Sequence, residues 1–154
     1  METQQNSTTT STDARLAAQR LLDGWLILWN GDYTLADDIL AQDFALHAAL
    51  LGGGDDRAVR GPDGLIGWIK QTRAAFTELV FTVEVGPIVD LDHLAIRWVA
   101  VGTYGAGFPG ATAAPGTPVR FTGTDILRIE QSKIAEYWVN SDVHVLLATL
   151  GVQL

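Results

Sequence analysis

Cysteine is absent from the 154 residues, which rules out disulfides, thiolate metal sites and a cysteine nucleophile. Basic residues are scarce: ten Lys and Arg stand against eighteen Asp and Glu, for a net charge of −8. With no basic stripe, nucleic acid and anionic membranes are poor partners. No run of about 20 apolar residues offers a membrane-spanning helix. The three His are scattered without metal-ligand spacing, so no metal is expected. The glycine runs at Gly52–Gly54 and Gly105–Gly110 read as loops, because no phosphate-loop Lys-Ser/Thr follows them. A Gly-x-Ser-x-Gly elbow is also missing, which argues against a serine hydrolase. Met1 to Thr12 is polar and rich in Ser and Thr, without the basic start and apolar centre of a signal peptide. It reads as a disordered tail, residues 1–12, ahead of one domain over 13–154, and the protein as cytoplasmic.

What is present is hydrophobic: 47% of the chain, enough to bury a sizeable core. From Asp13 to Asn30, Leu16, Ala17, Leu21, Trp25, Leu28 and Trp29 recur at helical spacing, and Asn30-Gly31 stops the helix. Asp32 is expected to cap a short second helix through Leu40. A strand from Phe44 to Ala48 and a glycine- and aspartate-rich loop from Leu50 to Arg60 follow. Pro62 suits the first turn of a third helix. Strands are expected at Leu79–Val85, Ile88–Val89, Leu94–Tyr104, Phe121–Ile129 and Lys133–Asn140, then a last helix over Val143–Leu150 closed by Gly151. Helices first and antiparallel strands after make an α+β fold. A curved sheet around the long first helix would form a cone with an open mouth.

Acids and amides are threaded through the last strands, which otherwise read as core: Asp125, Glu136 and Asn140. A carboxylate in place of a valine is costly in a core, and the reading here is a lined internal pocket. A hairpin over Glu130–Lys133 with Ile129 opposite Ile134 pairs Asp125 with Trp138 and Gly123 with Asn140. Alternation then puts Asp125, Trp138 and Asn140 on one face, an inference that a slip of one residue would reverse.

Several segments resemble SnoaL-like proteins of the NTF2-like superfamily. They are Trp29-Asn30-Gly31-Asp32, Asp43-Phe44 with His47, Gly61-Pro62-Asp63-Gly64-Leu65, and Gly102-Thr103-Tyr104-Gly105. The strongest is Thr122-Gly123-Thr124-Asp125-Ile126-Leu127-Arg128-Ile129 followed by Lys133-Ile134-Ala135-Glu136-Tyr137-Trp138, with Asp142 and Leu150-Gly151 completing the pattern. The resemblance implies the α+β cone with an internal pocket. It implies small-molecule chemistry without a cofactor: polyketide or ester cyclase, isomerase or dehydratase, on a small, mostly apolar carbonyl compound. It also implies a homodimer packed through the sheets. One departure stands out. Tyr104 occupies a strand end where cyclases of this family carry a His, which weighs against polyketide cyclisation itself.

The shared chemistry needs a base beside a carbonyl and a donor for the enolate. Asp125 is the first acid/base candidate, against a structural Asp bonded to backbone or Arg. His47 is the second, its ordinary pKa of about 6.5 suiting proton transfer, against a histidine bonded to backbone. Tyr104 is the candidate oxygen donor, or an aromatic plug. Asn140 is expected to orient a ligand or Asp125. Asp142 stands either at the pocket mouth or, with Ser141, as a helix cap. Of the indoles that could stack on a flat substrate, Trp138 and Trp29 are kept as binding candidates, with bulk core as the alternative. An epoxide hydrolase is disfavoured, because Asp125 and Arg128 are three apart and alternate to opposite faces. A non-catalytic binding dimer remains the other alternative.

Overall fold

The computed structural model describes residues 2–49 and 56–153. The chain runs α1 (Glu2–Trp29), α2 (Ala36–Ile39), β1 (Leu40–His47), a 3-10 turn (Asp56–Ala58), α3 (Gly61–Arg73), β2 (Phe76–Asp90), β3 (His93–Tyr104), β4 (Pro118–Glu130), β5 (Lys133–Ser141) and α4 (Val143–Thr149). The strands form one mixed sheet in the order β1-β5-β4-β3-β2, with β1 parallel to β5 and the other pairs antiparallel. Register shifts along the pairings of β1, β2 and β5 let the sheet curve. Its inner face packs on Leu21, Leu22, Trp25, Leu28 and Trp29 of α1, all in the core. This is the α+β cone the sequence leads one to expect.

Three local expectations are corrected. The backbone of α1 is already helical at Glu2, where a disordered tail was expected through Thr12. No Gly or Pro precedes Gly24 in the chain to break it. Asp32 does not cap a helix over Asp32–Leu40. Its Oδ1 accepts from Thr34 N at 3.0 Å and Thr34 Oγ1 at 2.7 Å, closing a turn, and α2 is a single turn starting at Ala36. Those same bonds hold its carboxyl below the usual range. The strand expected at Phe44–Ala48 starts earlier, at Leu40. Most of the expected glycine- and aspartate-rich loop, residues 50–55, lies outside the described residues.

The end of α1 is fastened firmly to the sheet. Gly31 takes φ +100°, the left-handed residue that ends the helix. Arg73 Nη1 donates to the Trp29 carbonyl at 2.8 Å and to the Leu79 carbonyl at 2.7 Å. A guanidinium at a helix C-terminus also complements the helix dipole. Asn30 clamps Phe81 of β2 in both directions, donating to its carbonyl at 3.1 Å and accepting from its N–H at 2.8 Å.

The register of β4 on β5 decides which side chains face inward. Ile129 is opposite Ile134, as the hairpin reading requires, but Arg128 is opposite Glu136. Ala135 is therefore an extra residue, a bulge that shifts every later pair by one. Asp125 faces Val139 rather than Trp138, and Thr124 rather than Gly123 faces Asn140. Asp125, Leu127, Tyr137 and Val139 thus share the inner face, and Ile126, Trp138 and Asn140 the outer one.

Candidate functional site

Asp125 sits at the centre of the inner face, 3% exposed, in a strand neighbourhood that is otherwise hydrocarbon and aromatic ring. Three donors from three elements converge on it. Trp98 of β3 gives its indole N–H to Oδ1 at 2.8 Å, and Tyr137 of β5 gives its hydroxyl to the same oxygen at 3.1 Å. Trp25 of α1 gives its indole N–H to Oδ2 at 3.1 Å. None of the ion pairs among the described residues includes Asp125. Burial disfavours its charge, the three hydrogen bonds favour it, and burial prevails: the carboxyl is pushed up to about 6. Burial, with the nearby Asp125 charge, drives the Tyr137 phenol well above its ordinary value, so it stays a donor. A carboxylate offers about four acceptor positions. Oδ2 carries one donor against two on Oδ1, which leaves Oδ2 the freer oxygen for a proton.

Around the carboxylate lies a nest of rings. Trp25 meets Tyr137 edge-on at 4.7 Å between centroids and Trp29 at 6.2 Å. Trp29 in turn meets Phe81 at 5.3 Å, Trp68 at 5.5 Å and Tyr137 at 6.3 Å. Trp29 is 6% exposed, and its Nε1–H is buried without a hydrogen-bond partner among the described residues.

The other expected site residues do not join Asp125. His47 pairs in register with Trp138, one residue beyond the Leu46–Tyr137 pair, so both point to the outer face. There the His47 ring stacks on Trp138 at 5.1 Å, and its Nε2 lies 2.8 Å from Glu136 Oε2. Arg128 Nε donates to the other Glu136 oxygen at 2.7 Å. Bonds from His47 and Arg128 hold the Glu136 carboxyl below its ordinary value. The expected proton relay between Asp125 and His47 is thus corrected: the sheet itself separates them. Asn140 is exposed on that outer face and cannot orient Asp125. Asp142 makes no capping bond to α4. Its Oδ2 accepts from Thr122 Oγ1 and faces Arg97 Nη2 at 3.6 Å, and the Thr122 bond leads the causes that lower its pKa. Tyr104 is buried on the inner side, but its hydroxyl accepts from Phe108 N at 3.3 Å, at the loop end of β3.

Trp25, Trp98 and Tyr137 were missed as partners of Asp125. Trp98 and Asp125 are close to opposite in the β3–β4 ladder, with Ile96 facing Asp125 and Trp98 facing Gly123. A paired ladder drawn from sequence would have suggested that contact; the reach of Trp25 from α1 carries no sequence signal. Among the described residues no group of three or more His, Asp or Glu stands together as a metal-ligand set. An open polar cleft of about 360 Å³, lined by Ala41, Gln42, Asp43, Glu130, Gln131 and Lys133, lies at the β4–β5 hairpin and does not include Asp125.

Comparison with known proteins agrees with this fold. A family model described as SnoaL-like polyketide cyclase matches residues 15–150. IdmH of Streptomyces antibioticus, a candidate polyketide cyclase, superposes with a TM-score of 0.74 at 29% identity, covering 87% of this chain and 98% of its own. TsrD of Streptomyces laurentii superposes equally well, TM-score 0.74, at 23% identity over 90% of this chain and 98% of its own. A protein of Catenulispora acidiphila with a ketosteroid isomerase-like fold, in complex with trimethylamine, gives 0.65 at 20% identity over 86% and 93%. The last two likenesses concern the fold. No curated protein matches the chain.

Proposed function

The chain belongs to the SnoaL-like polyketide cyclase family, and we propose that it is a cofactor-independent acid/base enzyme acting beside the carbonyl of a small, mostly apolar compound. The observation that carries this reading is Asp125: a carboxyl buried among rings, in no ion pair among the described residues, with a pKa of about 6. Such a group gives and takes protons near neutral pH. Ester cyclase, isomerase and dehydratase chemistry all begin with the same step. The Asp125 carboxylate removes a proton from carbon beside the carbonyl, and the C–H electron pair becomes the enolate. Trp25, Trp98 and Tyr137 fix the carboxylate so that little reorganisation is needed. Epoxide hydrolysis is less well supported, since Arg128 lies with Glu136 and Glu130 on the outer face. The expected cytoplasmic location belongs to the same proposal.

The test is proton exchange. 2-Tetralone, a two-ring ketone with acidic α-hydrogens, incubated in D₂O with the protein, is expected to lose those hydrogens faster than in buffer alone. The acceleration should vanish in Asp125→Asn. Exchange at the buffer rate with wild type would favour a non-catalytic binding module instead.

A homodimer through the sheet is part of this reading. Val80, Val85, Ile88, Val101 and Ile126 are all substantially exposed and all lie on the outer face, across β2, β3 and β4. Exposed aliphatic side chains on three neighbouring strands, with Arg97 and its Glu84 partner among them, suit an isologous contact with a second copy. Wild type is expected to sediment at twice the chain mass. Val101→Glu sets a charge into both halves of that contact and should weaken it by about 3 kcal/mol or more, over 100-fold in Kd. Sedimentation equilibrium decides it: an unchanged association constant would rule this face out.

A further inference from the structure

We infer that the Trp29 indole N–H, in the ring nest around Asp125, is the donor that receives the substrate's carbonyl oxygen. This rests on the acid/base reading and adds to it the second group that such chemistry requires. The donors of Trp25, Trp98 and Tyr137 are all spent on Asp125. Trp68 is only partly buried. Trp29 is the remaining buried indole of the nest, and its Nε1–H has no partner among the described residues. A buried donor left unpaired costs a native protein about 1–3 kcal/mol. A phenylalanine would fill most of the same space without that cost. The placement is also well fixed. Arg73 holds the Trp29 carbonyl and Asn30 bonds both the N–H and the carbonyl of Phe81, which anchors the backbone, and Trp25, Trp68, Phe81 and Tyr137 pack around the ring. Its ring lies 6.2 Å from Trp25 and 6.3 Å from Tyr137, both of which bond to Asp125.

The step balances within the substrate and these two side chains. Asp125 takes the α-proton, the C–H pair forms the C=C bond, and the carbonyl π pair moves onto oxygen. That oxygen accepts a stronger hydrogen bond from Trp29 as its charge grows. Return of the proton to the same or a conjugated carbon restores the carbonyl. The donor acts mainly on the charged state, so its loss should lower kcat more than it raises KM.

The experiment follows 2-tetralone exchange with wild type, Trp29→Phe and Trp29→3-benzothienylalanine. The last keeps the shape of the bicyclic ring and removes only the N–H. The expected result is a fall in kcat of about 100-fold in both, with KM within about threefold and the inflection from Asp125 still near 6. Exchange at the wild-type rate by the benzothienyl protein overturns the inference and leaves the acid/base reading intact. Exchange at the buffer rate by wild type overturns both. If Trp29→Phe fails to fold, the wild-type protein decides alone, titrated with 2-naphthol as an enol mimic. The Trp29 indole ¹H–¹⁵N resonance should move by about 1 ppm together with the Asp125 carboxyl ¹³C signal. Movement of Asp125 without Trp29 refutes the donor role, and movement of neither refutes the acid/base reading as well.

Discussion

Asp125→Asn is expected to reduce α-proton exchange by about 10³-fold, to near the buffer rate, because general-base catalysis by a positioned group is worth about 10²–10⁴. Below about pH 6 the wild-type rate should climb roughly tenfold per pH step and then level off, following the carboxylate form of a group that titrates at about 6. An inflection near 4, the ordinary range of an aspartate, would contradict the burial argument. The same substitution has a signature in stability. A carboxyl with an ordinary value of 3.8 unfolded and about 6 folded costs the native state about 3 kcal/mol once ionised. Between these two values the folded chain holds the extra proton. Wild-type stability from this group is therefore full below about pH 4, declines as pH rises to 6, and is flat above. The asparagine variant lacks that decline. Its amide oxygen can still accept from Trp98 and Tyr137, but its NH₂ meets the Trp25 N–H, donor against donor, at about 1–3 kcal/mol. Urea unfolding should find the variant weaker near pH 4, with the gap closing by about pH 8. Parallel curves would show that Asp125 does not titrate as argued.

Gly123→Ala is expected to destabilise the protein by about 3 kcal/mol or more, the reverse of the usual small gain when a strand glycine becomes alanine. Gly123 lies directly opposite Trp98, and a Cβ there would overlap the Trp98 ring atoms Cζ2 and Cε2. The ring has nowhere to go: Phe81 meets it edge-on at 5.2 Å and Phe121 at 5.7 Å. To yield, Trp98 must give up its bond to Asp125, and with it one of the interactions that hold the carboxyl pKa down. Thermal melting should show the loss of stability, and the exchange profile an inflection moved above 6. A melt at or above wild type would mean the indole is not seated as described.

The larger elements were legible because each carries a local signal. Pro62 opens α3, Gly31 closes α1, and the Glu130–Lys133 turn sets Ile129 against Ile134. Asp125 was legible as a buried acid for the same kind of reason, since its strand is otherwise built for a core. Its surroundings were not. The bulge at Ala135 replaces the regular ladder that alternation assumes, and nothing about an alanine between Ile134 and Glu136 announces one. That single residue moved Trp138 and Asn140 to the outer face and brought Tyr137 in. The bonds from Trp98 and Trp25 span 27 and 100 residues of chain, distances over which periodicity says nothing. His47 faces outward beside Trp138, its partner across the parallel β1–β5 pair, and a place at the end of a short strand carries no signal of which face it takes.

Two of the groups that grip the Asp125 carboxylate are also chromophores. Each indole nitrogen lies about 3 Å from a carboxylate oxygen, so ionisation there changes the electric field along both rings. Ultraviolet emission from Trp25 and Trp98 should therefore shift in colour and intensity as that one proton leaves. The fold contains an unlabelled optical readout of the Asp125 proton.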